Sequence, residues 1–295
     1  MRRFGRLILA AGVGIVVSTV LISAGGQTTP LAARTAAQPG PPPRVSQRGG
    51  VEPRPAAGAN QLPRAADGKP DFSGIWQALN TAAWDIQDHN SSLASSLGVP
   101  PGRGVVEGNE IPYTAEALEQ KKKNFAKRDT DDPAFVKCLL PGVPRATYMP
   151  YPFEIIQNPT RVGIRYAFAR AVRTINLGGR SRDWLDGWPD FWMGDSRGKW
   201  EGDTLVVDVR KLSEDSWFDH AGNFHTEQLH VVERYSPIDR DHIRYDATIE
   251  DPGVFTRPWK MSMPLYRIIE KNVEVFEWDC RFDQDSDKYK DAVPK

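Results

Sequence analysis

The sequence predicts an all-β domain, mainly antiparallel, closed into a barrel or stacked as a sandwich, with one short helix and a disordered segment ahead of it. Short apolar-rich runs recur from residue 153 onward, punctuated by Gly, Pro and Asp, which is the pattern of strands joined by turns. Several runs alternate strictly: Ile243, Tyr245, Ala247 and Ile249 fall between His242, Arg244, Asp246, Thr248 and Glu250, so one face is apolar and the other polar. One stretch alone carries helix signals at both ends.

The chain opens with Arg2, Arg3 and Arg6, continues with a run over 7–22 that is apolar apart from glycines, Ser18 and Thr19, and then has small residues at 23–26. This is the plan of a secretory signal peptide, so residues 1–26 are expected to direct the chain to the periplasm or outside the cell. An uncleaved anchor is the alternative, and the one route by which a membrane becomes a partner. Residues 27–66 are rich in Pro, Ala, Gly and Gln and cannot bury enough surface to offset their ordering entropy, which predicts a disordered linker. Residues 67–295 are long enough for a full core and are expected to form a single β-barrel domain.

A net charge of zero conceals a division. The first 66 residues carry eight arginines against Glu52 alone, so the remainder is acidic by seven charges. The folded part therefore lacks the basic footprint that nucleic-acid binding requires, and that partner class is excluded.

Asp71 and Ser73 precede a first strand at Ile75 and Trp76. The Ser-, Gly- and Pro-rich stretch 80–108 reads as a long surface loop. Thr114 caps a helix over 115–127, with Glu116 and Glu119 early and Lys121, Lys122 and Lys123 late, as the helix dipole favours. Prolines defer the next strand to 153–157. Further strands are expected at 162–168, 171–177, 204–208, 228–235, 242–250, 259–263, 266–270 and 273–280, with a hairpin turn at Gly178 and Gly179.

Longer phrases carry a resemblance. PDFSGIW, CLLPGVPR with PYPFEIIQ, WMGDSRGKWEGDTLVVD, a D-x-x-G-x-x-H-x-x-x-x-H-x-x-E-R run, TIEDPGVFTRPW and EVFEWDC occur in order between Pro70 and Cys280. Together they resemble a family of secreted bacterial proteins without a settled activity, so the resemblance implies fold and site positions and leaves the chemistry open. Matched positions are Asp219, Gly222, His225, His230, Glu233 and Arg234. His220 stands where the pattern has a small residue, which argues against a role for it. Gly74-Ile75-Trp76 also resembles the lipocalin Gly-x-Trp signature, in which the Trp closes one end of a barrel, so the general plan is expected to be lipocalin-like.

Aromatic bulk and ionisable groups concentrate in residues 184–235. Trp184, Trp188 and Trp192 recur every four residues; helix-face packing is one account, and Pro189 favours the other, an aromatic wall for a ring-shaped ligand. Arg234 is expected beside that ligand, on a His230, Val232 and Arg234 face turned into the cavity. Asp219, His225, Glu227 and His230 supply both halves of a carboxylate–imidazole pair for acid–base work, against the alternative of structural hydrogen bonds and ion pairs. The histidines at 220, 225 and 230 are spaced by five, which suits no metal site on one face of a strand or helix, and neither a metal nor another cofactor is implied. Cys138 and Cys280 are expected to form a disulfide in an exported chain. These features describe an exported barrel holding a small apolar or aromatic molecule. A lyase, isomerase or hydrolase on the same scaffold and a structural envelope protein are the other readings, and the sequence does not decide whether the protein is an enzyme.

Overall fold

A computed structural model describes residues 61–92, 98–179 and 181–278. Nine strands close into a barrel. They are β1 (Gly74–Ala78), β2 (Phe153–Asn158), β3 (Arg161–Tyr166), β4 (Val172–Asn176), β5 (Asp195–Glu201), β6 (Thr204–Arg210), β7 (His230–Pro237), β8 (His242–Glu250) and β9 (Trp259–Arg267). Each pairs with the next and β9 returns to β1, so the sheet has no open edge. All pairs are antiparallel except β4 with β5, which run parallel through Ile175–Ser196 and Asn176–Arg197. Helices are short: α1 (Ala115–Ala126), α2 (Arg128–Asp131) and α3 (Arg145–Tyr148). Among the described residues no helix is long and apolar enough to cross a membrane.

The period-2 alternation becomes the core. β8 buries Ile243, Tyr245, Ala247 and Ile249, and their register partners Leu265, Met263, Met261 and Trp259 are buried opposite them. Each large apolar side chain removed from water this way contributes about 1.5–3 kcal/mol. The lumen also holds a charge pair. Arg173 on β4 donates from Nη1 to Oε1 of Glu233 on β7 at 3.0 Å, its other terminal nitrogen reaches Oε2, and its Nε donates to Ser196 Oγ at 2.9 Å. The Tyr235 and Tyr245 hydroxyls donate to the same Glu233 Oε1 at 3.1 and 2.8 Å. A fully buried ion pair is tolerable only when its remaining valences are met in this way. The barrel is thus filled by its own side chains, as expected when about eight or nine strands close.

The Gly-x-Trp of β1 has a local physical account. Trp76 is fully buried, its indole N–H donates to Phe72 O at 2.8 Å, and the Arg267 guanidinium stacks 4.2 Å from its ring centre. Gly74 has φ 131°, and a Cβ there would collide with Arg267 Nη1.

Several sequence expectations are corrected. The sequence does not predict a strand over 195–201, where Asp195, Arg197, Lys199 and Glu201 outnumber the apolar residues; it is β5, and its inward Gly198 is needed because a Cβ would lie 2.6 Å from Leu177. Gly178 and Gly179 begin a crossover and not a hairpin, since β4 and β5 are parallel and 177–194 must traverse the barrel. The segments at 259–263 and 266–270 belong to one strand, β9, despite Pro264. Ser262, two residues earlier, donates its N–H away from β8, to Val105 O, so the missing N–H of Pro264 removes no bond to β8. Residues 273–278 form no strand beyond a single bridge between Phe168 and Trp278, and 279–280 lie outside the described residues. The end of the supposed linker packs on the barrel: Leu62 is buried and Arg64 pairs with Asp203. Expected cleavage of residues 1–26 falls outside the described residues.

The end of the barrel where β1, β6 and β8 finish and β2, β7 and β9 begin receives the long insertions 79–152, 211–229 and 251–258. They form a cap. The stretch 80–108, expected at the surface, contributes Ala82, Ala83, Ile86, Val105 and Val106 to its core.

Candidate functional site

The cap is held by a short pairing between residues 83–86 and the loop after β6. His220 N donates to Ala83 O at 3.0 Å, Ala221 N to Trp84 O at 2.8 Å, and Ile86 N to the Asp219 carboxylate at 2.9 Å. Asp219 also accepts from Asn223 N at 3.0 Å and Asn223 Nδ2 at 2.5 Å, and Asn223 in turn accepts from the Tyr113 hydroxyl at 2.8 Å. Gly222 turns the loop at φ 81°, and a Cβ there would lie 2.8 Å from Phe125 N of α1. Glycine is what allows the loop to touch the helix.

This packing brings ionisable groups together from distant parts of the chain. His220 is buried, with Nδ1 2.8 Å from Asp132 Oδ2 and Nε2 3.2 Å from Asp129 Oδ1. Carboxylates only accept, so both contacts are satisfied when each ring nitrogen carries a proton. Arg145 grips Asp132 with two bonds, Nη1 to Oδ1 at 2.9 Å and Nη2 to Oδ2 at 2.8 Å. Burial pushes the Asp132 carboxyl up, but Arg145 and His220 together outweigh it and hold the group at about 2. Asp219 behaves oppositely: burial, and then the charge of Asp85, override its three N–H donors and push it up to about 7. Burial also raises Asp85, against the N–H of Gln87 that its carboxylate accepts at 2.9 Å. The charge of Asp85 thus adds to burial in favouring the protonated form of Asp219.

A cavity of about 220 Å³ opens beside this cluster, lined by Trp84, Asp85, His89, Phe125, Arg128 and His220 among others. Trp84 leans on Phe135 at 5.9 Å, and Phe135 meets the His220 ring edge to face at 6.1 Å. The aromatic wall and the ionisable wall are thus one packed unit.

The residues singled out from sequence are dispersed. Asp219 lies in the cap. His225 is buried beside Phe218, its Nε2 2.9 Å from Ser216 Oγ and its Nδ1 3.0 Å from Thr226 O, and burial lowers its proton affinity. His230 sits on the outer barrel wall with Nε2 2.7 Å from Asp208 Oδ2. Glu227 is exposed. The structure therefore does not bring His225 or His230 together with Asp219 or Glu227. The β7 face expected to look inward is the outer one: Val231, Glu233 and Tyr235 are buried in the lumen, whereas Arg234 is 42% exposed and pairs with Glu201. Trp184 and Trp188 stand 52% and 55% exposed on the crossover, edge to face at 6.3 Å, and Trp192 is half-buried in the same loop. None of the three lines the cap cavity. Cys138 carries no free thiol, while Cys280 lies outside the described residues. Among the described residues no group of His, Cys, Asp and Glu is arranged to hold a metal ion.

His220, Asp132, Arg145, Asp85 and Trp84 were not singled out from the sequence. The family pattern argues against a role for His220, yet together with that of His89 its imidazole lines the cavity wall. Its partner Asp132 is 88 residues away, so no local spacing signals the pair.

Fold and site define a capped nine-stranded β-barrel with an ionisable, aromatic-walled cavity in the cap. No protein-family model, curated protein or solved structure matches the chain, so its own geometry carries the functional reading.

Proposed function

We propose that the protein is an exported barrel that binds a small apolar or aromatic molecule in its cap. The observation that carries this is the contrast between the barrel lumen and the cap cavity. The lumen is occupied by Arg173, Glu233 and buried apolar side chains of the strands, whereas the cap cavity is walled by Trp84 and Phe125 and has Asp85 and His220 at hand. Small-molecule sites are concave, largely apolar and carry a few convergent polar groups. The binding wall is thus moved from Trp184, Trp188 and Trp192 to Trp84. Export is supported by the arginine-led apolar run at 7–22, and a Cys138–Cys280 bridge is the pairing that export favours.

Titration with the neutral fluorophore N-phenyl-1-naphthylamine tests the reading. Saturable enhancement with the wild type, weakened about tenfold or more in Trp84→Ala and unchanged in Trp188→Ala, is the expected result. Saturable binding that Trp188→Ala abolishes and Trp84→Ala leaves intact would return the site to the crossover loop. No saturable binding by the folded wild type would favour a structural envelope role.

A further inference from the structure

Asp85, His89 and His220 line the cap cavity, and the surroundings of Asp85 and His220 assign those two different tasks. His220 is fixed by the buried Asp132 at Nδ1, and its Nε2 faces an oxygen of Asp129, whose side chain is 37% exposed. That nitrogen is aimed as a donor at an acceptor oxygen near the solvent side of the cluster. Asp85 lines the same cavity, and its one hydrogen bond from Gln87 N leaves the carboxylate further lone pairs. The fully buried Asp219 is pushed up by burial and then by the charge of Asp85, so it is the member of the pair that favours its protonated form. The group facing the cavity is then a carboxylate more basic than an ordinary one.

Resting on the reading of this cavity as a binding site, we infer that it enolises aromatic carbonyl compounds, with Asp85 as the base and His220 as the proton donor to the carbonyl oxygen. Asp85 takes a proton from the carbon next to the carbonyl, and that C–H electron pair becomes the new C=C bond. The carbonyl π pair takes the proton of His220 Nε2, so an O–H bond forms as the N–H bond breaks. Asp129 Oδ1 occupies the acceptor position that the carbonyl oxygen takes over. Asp85 is left protonated and His220 neutral, and solvent carries the proton from one to the other. Substrate and product are isomers, and no co-reactant is consumed. Trp84 and Phe125 supply the surface for the ring, and Asp132, held by Arg145, is a positioning residue for His220. A preformed donor for the developing oxyanion and a base of raised affinity are the two features that carbon deprotonation needs.

The test uses the full chain and phenylpyruvate, which has an aromatic ring and an exchangeable benzylic C–H. Deuterium uptake at that carbon is followed by proton NMR in heavy water, and binding is followed in the same samples by tryptophan fluorescence. The wild type is expected to accelerate exchange above the buffer rate. Asp85→Asn keeps an oxygen for the Gln87 N–H and is expected to bind phenylpyruvate within about twofold while losing roughly a hundredfold in exchange. His220→Gln is expected to lose exchange likewise. Binding by the wild type with exchange no faster than buffer, or an Asp85→Asn variant as fast as wild type, would overturn the inference and leave the binding site standing. Absence of phenylpyruvate binding by the folded wild type would overturn the inference, and the binding site would then stand or fall on N-phenyl-1-naphthylamine alone. Asp85→Asn carries the test should His220→Gln not fold.

Discussion

The Nδ1 of His220 and the Oδ2 of Asp132 lie 2.8 Å apart across 88 residues of chain, both buried, and Arg145 closes the cluster from the other side of the carboxylate. Removing one partner strands a buried charge. Asp132→Ala leaves Arg145 uncompensated and is expected to cost about 3–5 kcal/mol in chemical denaturation. A loss below about 1 kcal/mol would show that water replaces the carboxylate. Because Asp132 is held at about 2 in the folded state, its contribution is present above the ordinary carboxylate range and is lost as pH falls from about 4 through about 2.

Asp219 gives the opposite pH dependence. Its folded carboxyl is raised to about 7, so the folded state binds the extra proton, and stability from this group is full below about 4 and is lost as pH rises through 7. His225, whose proton affinity burial lowers, works the other way, losing stability as pH falls past the ordinary imidazole range. The Asp219 component is therefore read as the difference between wild type and Asp219→Asn in melting temperature from pH 4 to 8. The variant is expected to lose relative stability at pH 4 and recover it at pH 8. A pH-independent difference would show that Asp219 stays ionised.

The lumen pair makes a separable prediction. Arg173→Met alone leaves Glu233 buried and unpaired and is expected to cost about 3–5 kcal/mol, whereas Arg173→Met with Glu233→Gln is expected to cost less than the two single changes together. Additive losses would mean that the two side chains are uncoupled.

Strand patterning was legible wherever one face of the sheet met the core and the other met water. β8 and the capped helix α1 were read to within about one residue for that reason. β5 was hidden because its inward positions are Ser196, Gly198 and Trp200, chosen to leave room for Arg173 and Leu177 rather than for hydrophobicity. The orientation of β7 was inverted because an inward-facing charge, Glu233, looks like a solvent residue until Arg173 is placed beside it. Asp219 is legible as a candidate, but its partners Asp85 and Ile86 come from a segment more than 100 residues earlier, which one sequence does not connect.

Residues 61–66, expected to belong to the linker, include the buried Leu62 and the paired Arg64. A chain beginning at Asp67 loses Leu62 from the core and the Arg64–Asp203 pair, whose members are each about half exposed and contribute little. It is expected to be less stable than one beginning at Gln61 by about 1.5–3 kcal/mol, chiefly from the leucine. Equal melting temperatures would show that the 61–66 segment lies on the barrel without stabilising it.

The central claim is that ligands enter the cap beside Trp84 and not the crossover loop beside Trp184 and Trp188. Fluorine NMR of protein labelled with 5-fluorotryptophan, with resonances assigned by single Trp→Phe changes and titrated with N-phenyl-1-naphthylamine, separates the two places directly. The Trp84 resonance is predicted to shift saturably while those of Trp184 and Trp188 stay fixed. Saturable shifts at Trp184 and Trp188 with none at Trp84 would contradict the account.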